Sequence, residues 1–555
     1  GVFFLALIGI IVWVVRQKQN DSADYFLGGR DATWLAIGAS IFASNIGSEH
    51  LIGLAGAGAS SGMAMAHWEI QGWMILILGW VFVPFYSRSM VYTMPEFLER
   101  RYNPQSRTIL SVISLVSYVL TKVAVTVYAG GLVFQQVFGI KELWGIDFFW
   151  IAAIGLVVLT ALYTIFGGMK SVLYTSVLQT PILLLGSLII LVLGFKELGG
   201  WDEMMRVCGA VTVNDYGDTM TNLIRSNDDA NFPWLGALIG SAIIGFWYWC
   251  TDQFIVQRVL SGKNEKEARR GTIFGAYLKL LPVFLFLIPG MIAFALHQKY
   301  IGAGGEGFLP MLANGTANAD AAFPTLVAKL LPAGVKGLVV CGILAALMSS
   351  LASLFNSSAM LFTIDFYKRF RPETPEKKLV GIGQIATVVI VILGILWIPI
   401  MRSVGDVLYT YLQDVQSVLA PGIAAAFLLG ICWKRTSAQG GMWGLIAGMI
   451  IGLTRLGAKV YYSNAGEVAD STFKYLFYDM NWLFFCGWMF LFCIIVVIVV
   501  SLATEAPTAE KIQGLVFGTA TKEQKAATRA SWDHWDIIHT VIILAITGAF
   551  YWYFW

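Results

Sequence analysis

The chain has 555 residues, of which 57% are hydrophobic and 13% charged, with a formal net charge of +3 at pH 7. Soluble domains run nearer 45–50% apolar and about 25% charged, so composition excludes a soluble globular protein. The small charge gives no argument for a nucleic-acid partner, and cysteines lying mostly in apolar runs form no disulfide framework.

Apolar runs of about 20 residues, the length that crosses hydrocarbon, recur along the whole chain. They fall at 1–15, 33–58, 63–87, 108–138, 146–166, 171–195, 234–257, 271–297, 335–364, 379–401, 404–432, 437–456, 481–503 and 536–555. No polar stretch between them is long enough to fold by itself, so the expectation is one all-α polytopic membrane domain of about fourteen spans. The first run is short for a span and no Met precedes it, which predicts a truncated N-terminus.

Lys and Arg set the orientation. One side takes Arg16, Lys18 and Arg30, then Arg88, Arg100, Arg101 and Arg107, then Lys170. It also takes the cluster Arg258–Arg270, the cluster Lys368–Lys378, Lys434 with Arg435, and Lys511–Arg529. The opposite side carries the acidic loop with Asp202, Glu203, Asp215, Asp218, Asp228 and Asp229, and the Gly/Ala-rich loop 301–334. The basic side is predicted to be cytoplasmic, in a plasma membrane, specifically a bacterial inner membrane.

Two runs are unusual in the same way. The run 33–58 contains Ala43-Ser44-Asn45-Ile46-Gly47-Ser48-Glu49-His50, which is polar at membrane depth. The run 234–257, five spans later, carries Gly245 and then Trp247-Tyr248-Trp249-Cys250-Thr251-Asp252-Gln253. Five is odd, so a copied five-helix unit inserts upside down, and paired interrupted helices mark the binding site of such transporters. Irregular backbone in a bilayer must face protein or a water-filled cavity. Gly and Ser also serve plain close packing, which suits Gly56–Gly58 but does not explain Glu49 and His50.

Ionisable groups inside spans are functional suspects, and four stand out: His50, Glu69, Asp252 and Lys279. Glu69 and Lys279 either neutralise each other structurally or hydrogen-bond a polyhydroxylated solute, with Trp68, Tyr248 and Trp249 as an aromatic lid. Asp252 lies close to Arg258 in sequence and is read as its structural partner. In the run 335–364, Ser349 and Ser350 offer hydroxyls that, with broken-helix carbonyls, suit a hard cation. Serine in membrane helices also bonds back to its own backbone, so both readings stand. No His/Cys group has metal-ligand spacing, no phosphate loop is present, and an enzyme is not expected.

These same residues lie in "NIGSEHLIGLAGAG" (45–58), "YTMPEFLERRY" (92–102), "LYTIFGGMKSVLYT" (162–175) and "WYWCTDQFIVQRVLSGKN" (247–264). With "YLKLLPVF" (277–284), "SSLASLFNSSAMLFTIDFY" (349–367) and "YLQDVQSVLAPGIAAAFLLGICWKRT" (411–436), they resemble the sodium/solute symporter family, nearest its sodium/glucose cotransporter branch. The matches run in order from about residue 24 to 460. The resemblance implies an inverted five-plus-five helix repeat with one extra N-terminal and three extra C-terminal helices. On that scheme 1–16 is an accessory helix and 24–435 the ten-helix core. The first repeat is 33–195, the inverted second 234–433, and 436–555 holds three accessory helices.

The resemblance implies a sodium site from the carbonyls of Ala43, Ile46 and Ala346 and the hydroxyls of Ser349 and Ser350. It implies a sugar site from Asn45, His50, Glu69, Lys279 and Gln413, with Tyr248 closing the cytoplasmic side and Trp249 beside it. Two departures stand out. Ser176 follows Tyr174-Thr175 where the family usually has Asp, which bears on coupling to sodium. Gly245 replaces a polar residue that usually faces the sugar, which predicts a hydroxyl left unread or bridged by water. The expectation is sodium-coupled symport of a hexose by alternating access. Myo-inositol or sialic acid as cargo, sugar uniport, and a non-transporting sugar receptor are the alternatives.

Overall fold

The computed structural model describes all residues except 1, 18–20, 48, 313–314, 403–407 and 465–468. The side chains of 120, 121, 136, 400–402, 408–414 and 463–464 also lie outside the description. The described chain is helical almost throughout, apart from a small antiparallel pairing of Glu142–Leu143 with Ile146–Asp147 and isolated bridges. Among the described residues ten helices are long and apolar enough to cross a membrane, and Val2–Val15, Trp34–Asn45 and Ala124–Gln135 are shorter apolar helices. Large apolar side chains such as Leu162, Val192, Ile385, Leu396, Trp488 and Leu502 face outward. So much exposed apolar surface is a liability in water and is what hydrocarbon requires.

Two apolar segments that the sequence separates, 146–166 and 171–195, form one helical run, Phe148–Leu198, of 51 residues. Straight, it would measure roughly 76 Å at 1.5 Å per residue, more than twice the thickness of a hydrocarbon core. It is not straight. Gly168 sits at φ 53°, ψ −146°, and the Ser171 hydroxyl donates to the Tyr163 carbonyl, eight residues earlier, at 3.1 Å. Such a bond requires the chain to fold back. Only glycine serves at this turn, because a Cβ would stand 2.4 Å from the Tyr25 carbonyl.

Both polar runs singled out in the sequence are broken helices. The first, Trp34–Asn45, ends where Ile46 turns extended (φ −82°, ψ 102°), and helix resumes over Glu49–Leu54 and Ala55–Ser60. The second, Trp234–Gly245 continued by Phe246–Thr251, ends at Asp252 (φ −78°, ψ 127°). Helix restarts there as Gln253–Leu260, with the Asp252 carboxylate accepting from Phe254 N. A carboxylate at a helix start meets the unpaired N–H groups and the positive end of the dipole.

Beyond its break the first helix packs backbone to backbone. A Cβ on Gly58 would lie 2.2 Å from the Leu287 carbonyl, and one on Gly290 1.9 Å from the Ala55 carbonyl. Gly58 thus has the packing role the sequence offered as its plainer reading. The acidic loop closes over the same end. Met63 N donates to the Met220 carbonyl at 2.8 Å, Arg225 bonds the Ser61 carbonyl, and His67 Nε2 meets the Leu223 carbonyl at 3.1 Å. The last helix, His534–Tyr553, is pinned by Arg270 to Asp533 (2.7 Å) and Asp536 (3.0 Å).

Candidate functional site

The two broken helices meet at a central cavity lined by buried polar groups. From the first helix come Asn45, Glu49 and His50; from the helix after it, Trp68, Glu69 and Gln71. The second broken helix adds Gly245, Tyr248 and Trp249, and Lys122, Thr126, Lys279, Ser350 and Gln416 complete the polar wall. Asn45, His50, Glu69, Trp249 and Lys279 of the sequence reading therefore do converge on one cavity, and half-buried Tyr248 joins them. Gln413 carries a side chain outside the described residues; Gln416, one helical turn further on, lines the cavity.

Glu69 is the hub. Its Oε2 accepts from Lys279 Nζ at 2.5 Å and lies 3.2 Å from His50 Nε2. That same ring nitrogen is 3.3 Å from Asn45 Nδ2. The Asn45 amide nitrogen only donates, so the ring nitrogen either donates to the Glu69 carboxylate or accepts from Asn45; the carboxylate is the stronger partner. His50 Nδ1 and Trp68 Nε1 are buried with no protein partner among the described residues. Buried orphan polar groups are costly, and a solute rich in hydroxyls satisfies both. Lys279 also sits 5.4 Å from the Trp249 ring centre, while Trp68 stacks on Trp482 at 5.5 Å.

A second ion pair corrects the sequence reading. Asp252 pairs with Lys122 at 2.7 Å and accepts from the Tyr118 hydroxyl; Arg258 instead donates to the Phe254 carbonyl of its own helix. Lys122 is packed among aromatic faces, 4.8 Å from Tyr248 and 4.8 Å from Phe254, an arrangement that favours a cation. Proximity in sequence favoured Arg258, but the partner comes from a helix 130 residues away. The signal for Lys122 was present, because a lysine inside an apolar span is a suspect on the same grounds as Lys279.

Beside the cavity runs a seam of serine hydroxyls, with the Glu49 carboxylate close to Ser350 where the seam reaches Gly47. Ser176 Oγ lies 3.2 Å from Ser349 Oγ and donates to the Val172 carbonyl at 2.6 Å. Ser44 and Ser353 hydroxyls meet at 2.6 Å. Ser350 Oγ stands 3.0 Å from where a Cβ on Gly47 would be, beside the break. Ala43, Ile46, Ala346, Ser349 and Ser350 are all buried. The break at Ile46 releases carbonyls of the preceding turn from helical pairing, and unwound carbonyls with hydroxyls are a donor set for sodium. No group of three or more His, Cys, Asp or Glu that would hold a transition metal occurs among the described residues.

Gly245 does not leave a gap. Gln71 fills it, its Oε1 only 2.6 Å from the position of a glycine Cβ, while its Nε2 donates to the Ser241 carbonyl at 2.8 Å. Sequence reasoning missed Gln71, Lys122, Thr126 and Gln416, since nothing local says which way a polar residue in a span faces.

A model of the Sodium:solute symporter family matches residues 25–448. The human sodium/myo-inositol cotransporter 2 is 36% identical over 531 residues, covering 93% of this chain and 78% of that protein. The sodium/myo-inositol cotransporter of Canis lupus familiaris is 37% identical over 539 residues, covering 93% and 74%. Among solved structures, the substrate-bound outward-open state of a sodium-coupled sialic acid symporter gives a TM-score of 0.71 at 22% identity. That likeness, over 92% of this chain and 99% of the other, is one of fold.

Proposed function

This chain belongs to the sodium:solute symporter family, and from that premise we propose that it carries a neutral cyclic polyol, myo-inositol or a hexose, into the cell. Sodium is the coupling ion, and its relatives are transporters rather than enzymes. The observation that carries the cargo reading is the charge balance of the cavity. Both lysines at the cavity already have carboxylate partners, Lys279 in Glu69 and Lys122 in Asp252, so an uncharged solute meets donors and acceptors without adding a net charge to a buried site. An acidic sugar adds an anion that this balance leaves uncompensated. Relatives bearing the name of myo-inositol make that polyol the first to test, ahead of the hexose read from the sequence.

In this reading Asn45, His50, Glu69, Lys279 and Gln413 hold hydroxyls, with Tyr248 and Trp249 against the ring's apolar face. Sodium sits by the carbonyls of Ala43, Ile46 and Ala346 and the hydroxyls of Ser349 and Ser350, with Ser176 behind it. The fourteen spans are arranged as an accessory helix (1–16), inverted repeats at 33–195 and 234–433, and three further helices (436–555), in a plasma membrane. Sodium at the first break favours the state open to the outside, and cargo binding allows closure there and opening within. One charge moving down 100 mV contributes about 2.3 kcal/mol, which corresponds to roughly fiftyfold accumulation.

Uptake of labelled myo-inositol, D-glucose, D-galactose and sialic acid into liposomes, with and without an inward sodium gradient, tests this. The expected result is sodium-driven accumulation of a neutral polyol and none of sialic acid. Accumulation of sialic acid would overturn the cargo reading. Equilibration indifferent to sodium would replace symport with uniport, and binding without counterflow would leave a receptor.

A further inference from the structure

The helix that carries Glu69 is interrupted immediately after it. Ile70 (φ −80°, ψ 23°) and Gln71 (φ −85°, ψ 24°) separate Ala66–Glu69 from Gly72–Ile77. Through this interruption Gln71 reaches the second broken helix, 170 residues away, where it bonds the Ser241 carbonyl at 2.8 Å. A carbonyl oxygen only accepts, so the amide atom facing it is the nitrogen. The amide is thereby oriented, with Nε2 on Ser241 and Oε1 against Gly245.

Gly245 is what admits it. A Cβ there would stand 2.6 Å from Oε1 and 2.9 Å from Cδ of Gln71, so any larger residue at 245 displaces the amide. Gln71 is 3% exposed, and both residues line the cavity alongside Glu69 and Tyr248. Positions 71 and 245 therefore share one volume, and this chain has given it to an uncharged acceptor. A carboxylate in the same place would add an anion beside lysines already paired with Glu69 and Asp252.

We propose that Gln71 is a specificity-determining residue whose Oε1, admitted by Gly245, accepts a hydrogen bond from one particular ring hydroxyl of the cargo. This rests on the neutral-polyol reading above. It assigns to Gln71 the contact that the sequence left unmade at Gly245. It also makes selectivity among stereoisomers depend on the pair rather than on either residue alone.

The test measures equilibrium binding to the purified protein in sodium, using myo-inositol and D-glucose together with their single-deoxy analogues. In the unmodified protein, losing the hydroxyl that Gln71 reads weakens binding about ten- to hundredfold, as expected for one buried hydrogen bond. In Gln71→Ala the parent polyol weakens by a similar factor, that one analogue loses nothing more, and penalties at other ring positions persist. Gly245→Ala, with Gln71 still present, gives the same position-specific pattern because the amide is pushed aside. Losses spread evenly over all analogues in Gln71→Ala would reduce Gln71 to packing and overturn the assignment, as would an unchanged pattern in Gly245→Ala. Failure of the unmodified protein to bind either parent polyol would overturn the functional reading itself, a result distinct from both.

Discussion

The cavity and the seam beside it handle polarity in opposite ways. Around the cavity, full charges are brought together in pairs: Glu69 with Lys279 and Asp252 with Lys122. Along the seam, Ser40, Ser44, Ser176, Ser349 and Ser353 meet one another and backbone carbonyls. The guests proposed for the two places account for the difference. A neutral polyol is gripped most strongly by charge-assisted hydrogen bonds, and paired charges supply these without a net field. A cation brings its own charge and needs oxygen dipoles, which hold it and still let it leave.

The sharpest way to break this contrast is to unpair a cavity charge. Lys122→Met leaves the Asp252 carboxylate buried with the neutral Tyr118 hydroxyl and Phe254 N in place of a lysine, and removing one partner of a buried pair costs about 3–5 kcal/mol. Thermal unfolding in detergent should show a marked loss for the single variant and substantial recovery in Lys122→Met with Asp252→Asn. A single variant as stable as the parent means the pair carries no buried charge worth compensating.

Glu69→Gln keeps the shape and removes the charge at the hub. Polyol binding is expected to weaken ten- to hundredfold, about 1–3 kcal/mol, while the sodium concentration for half-maximal uptake at saturating polyol changes much less. Equal shifts in both constants, measured in the same uptake assay, would mean that cavity and seam are not separate sites.

Ser349→Ala probes the seam and Ser350→Ala the point where seam and cavity meet, and each lost oxygen is worth about 0.5–1.5 kcal/mol. Half-saturation by sodium should rise several-fold with little change in polyol affinity at saturating sodium. Linkage then requires polyol to tighten sodium by the factor with which sodium tightens polyol. If sodium titrations of both variants overlay the parent curve, these hydroxyls do not hold the cation.

The smallest effect is expected from giving the seam a charge. At an effective dielectric near 20, a unit pair 6–8 Å apart interacts by roughly 2–3 kcal/mol. Burying a carboxylate where Ser176 is fully enclosed offsets much of that, leaving about 1 kcal/mol. Ser176→Asp should therefore tighten apparent sodium affinity several-fold without changing which polyols compete. Superimposable sodium curves at fixed membrane potential would show that the seam selects by geometry alone.

Much of this site is legible along the chain because the bilayer makes polarity expensive. Asn45, His50, Glu69 and Lys279 announce themselves as polar groups in apolar runs, and the structure brings all four to one cavity. Lys122 announces itself by the same rule. Gln71 does not, since an amide two residues from Glu69 reads equally well as a group facing away. Its role depends on the interruption at Ile70 and Gln71, where the local signal is Gly72, a residue that reads equally well as one of plain close packing.

What the sequence by itself determined is membrane residence, two of the places where helices break, and which residues bear charge within spans; each follows from composition over a few turns. Tertiary structure alone decided the partners. Lys279 finds Glu69 across 210 residues, Lys122 takes Asp252 in place of the nearer Arg258, and Gln71 enters the space of Gly245. The reason is geometric. Partner choice depends on how each helix is rotated and where its break aims the next turn. Those quantities are set by packing among many helices at once, and no local stretch of chain encodes them.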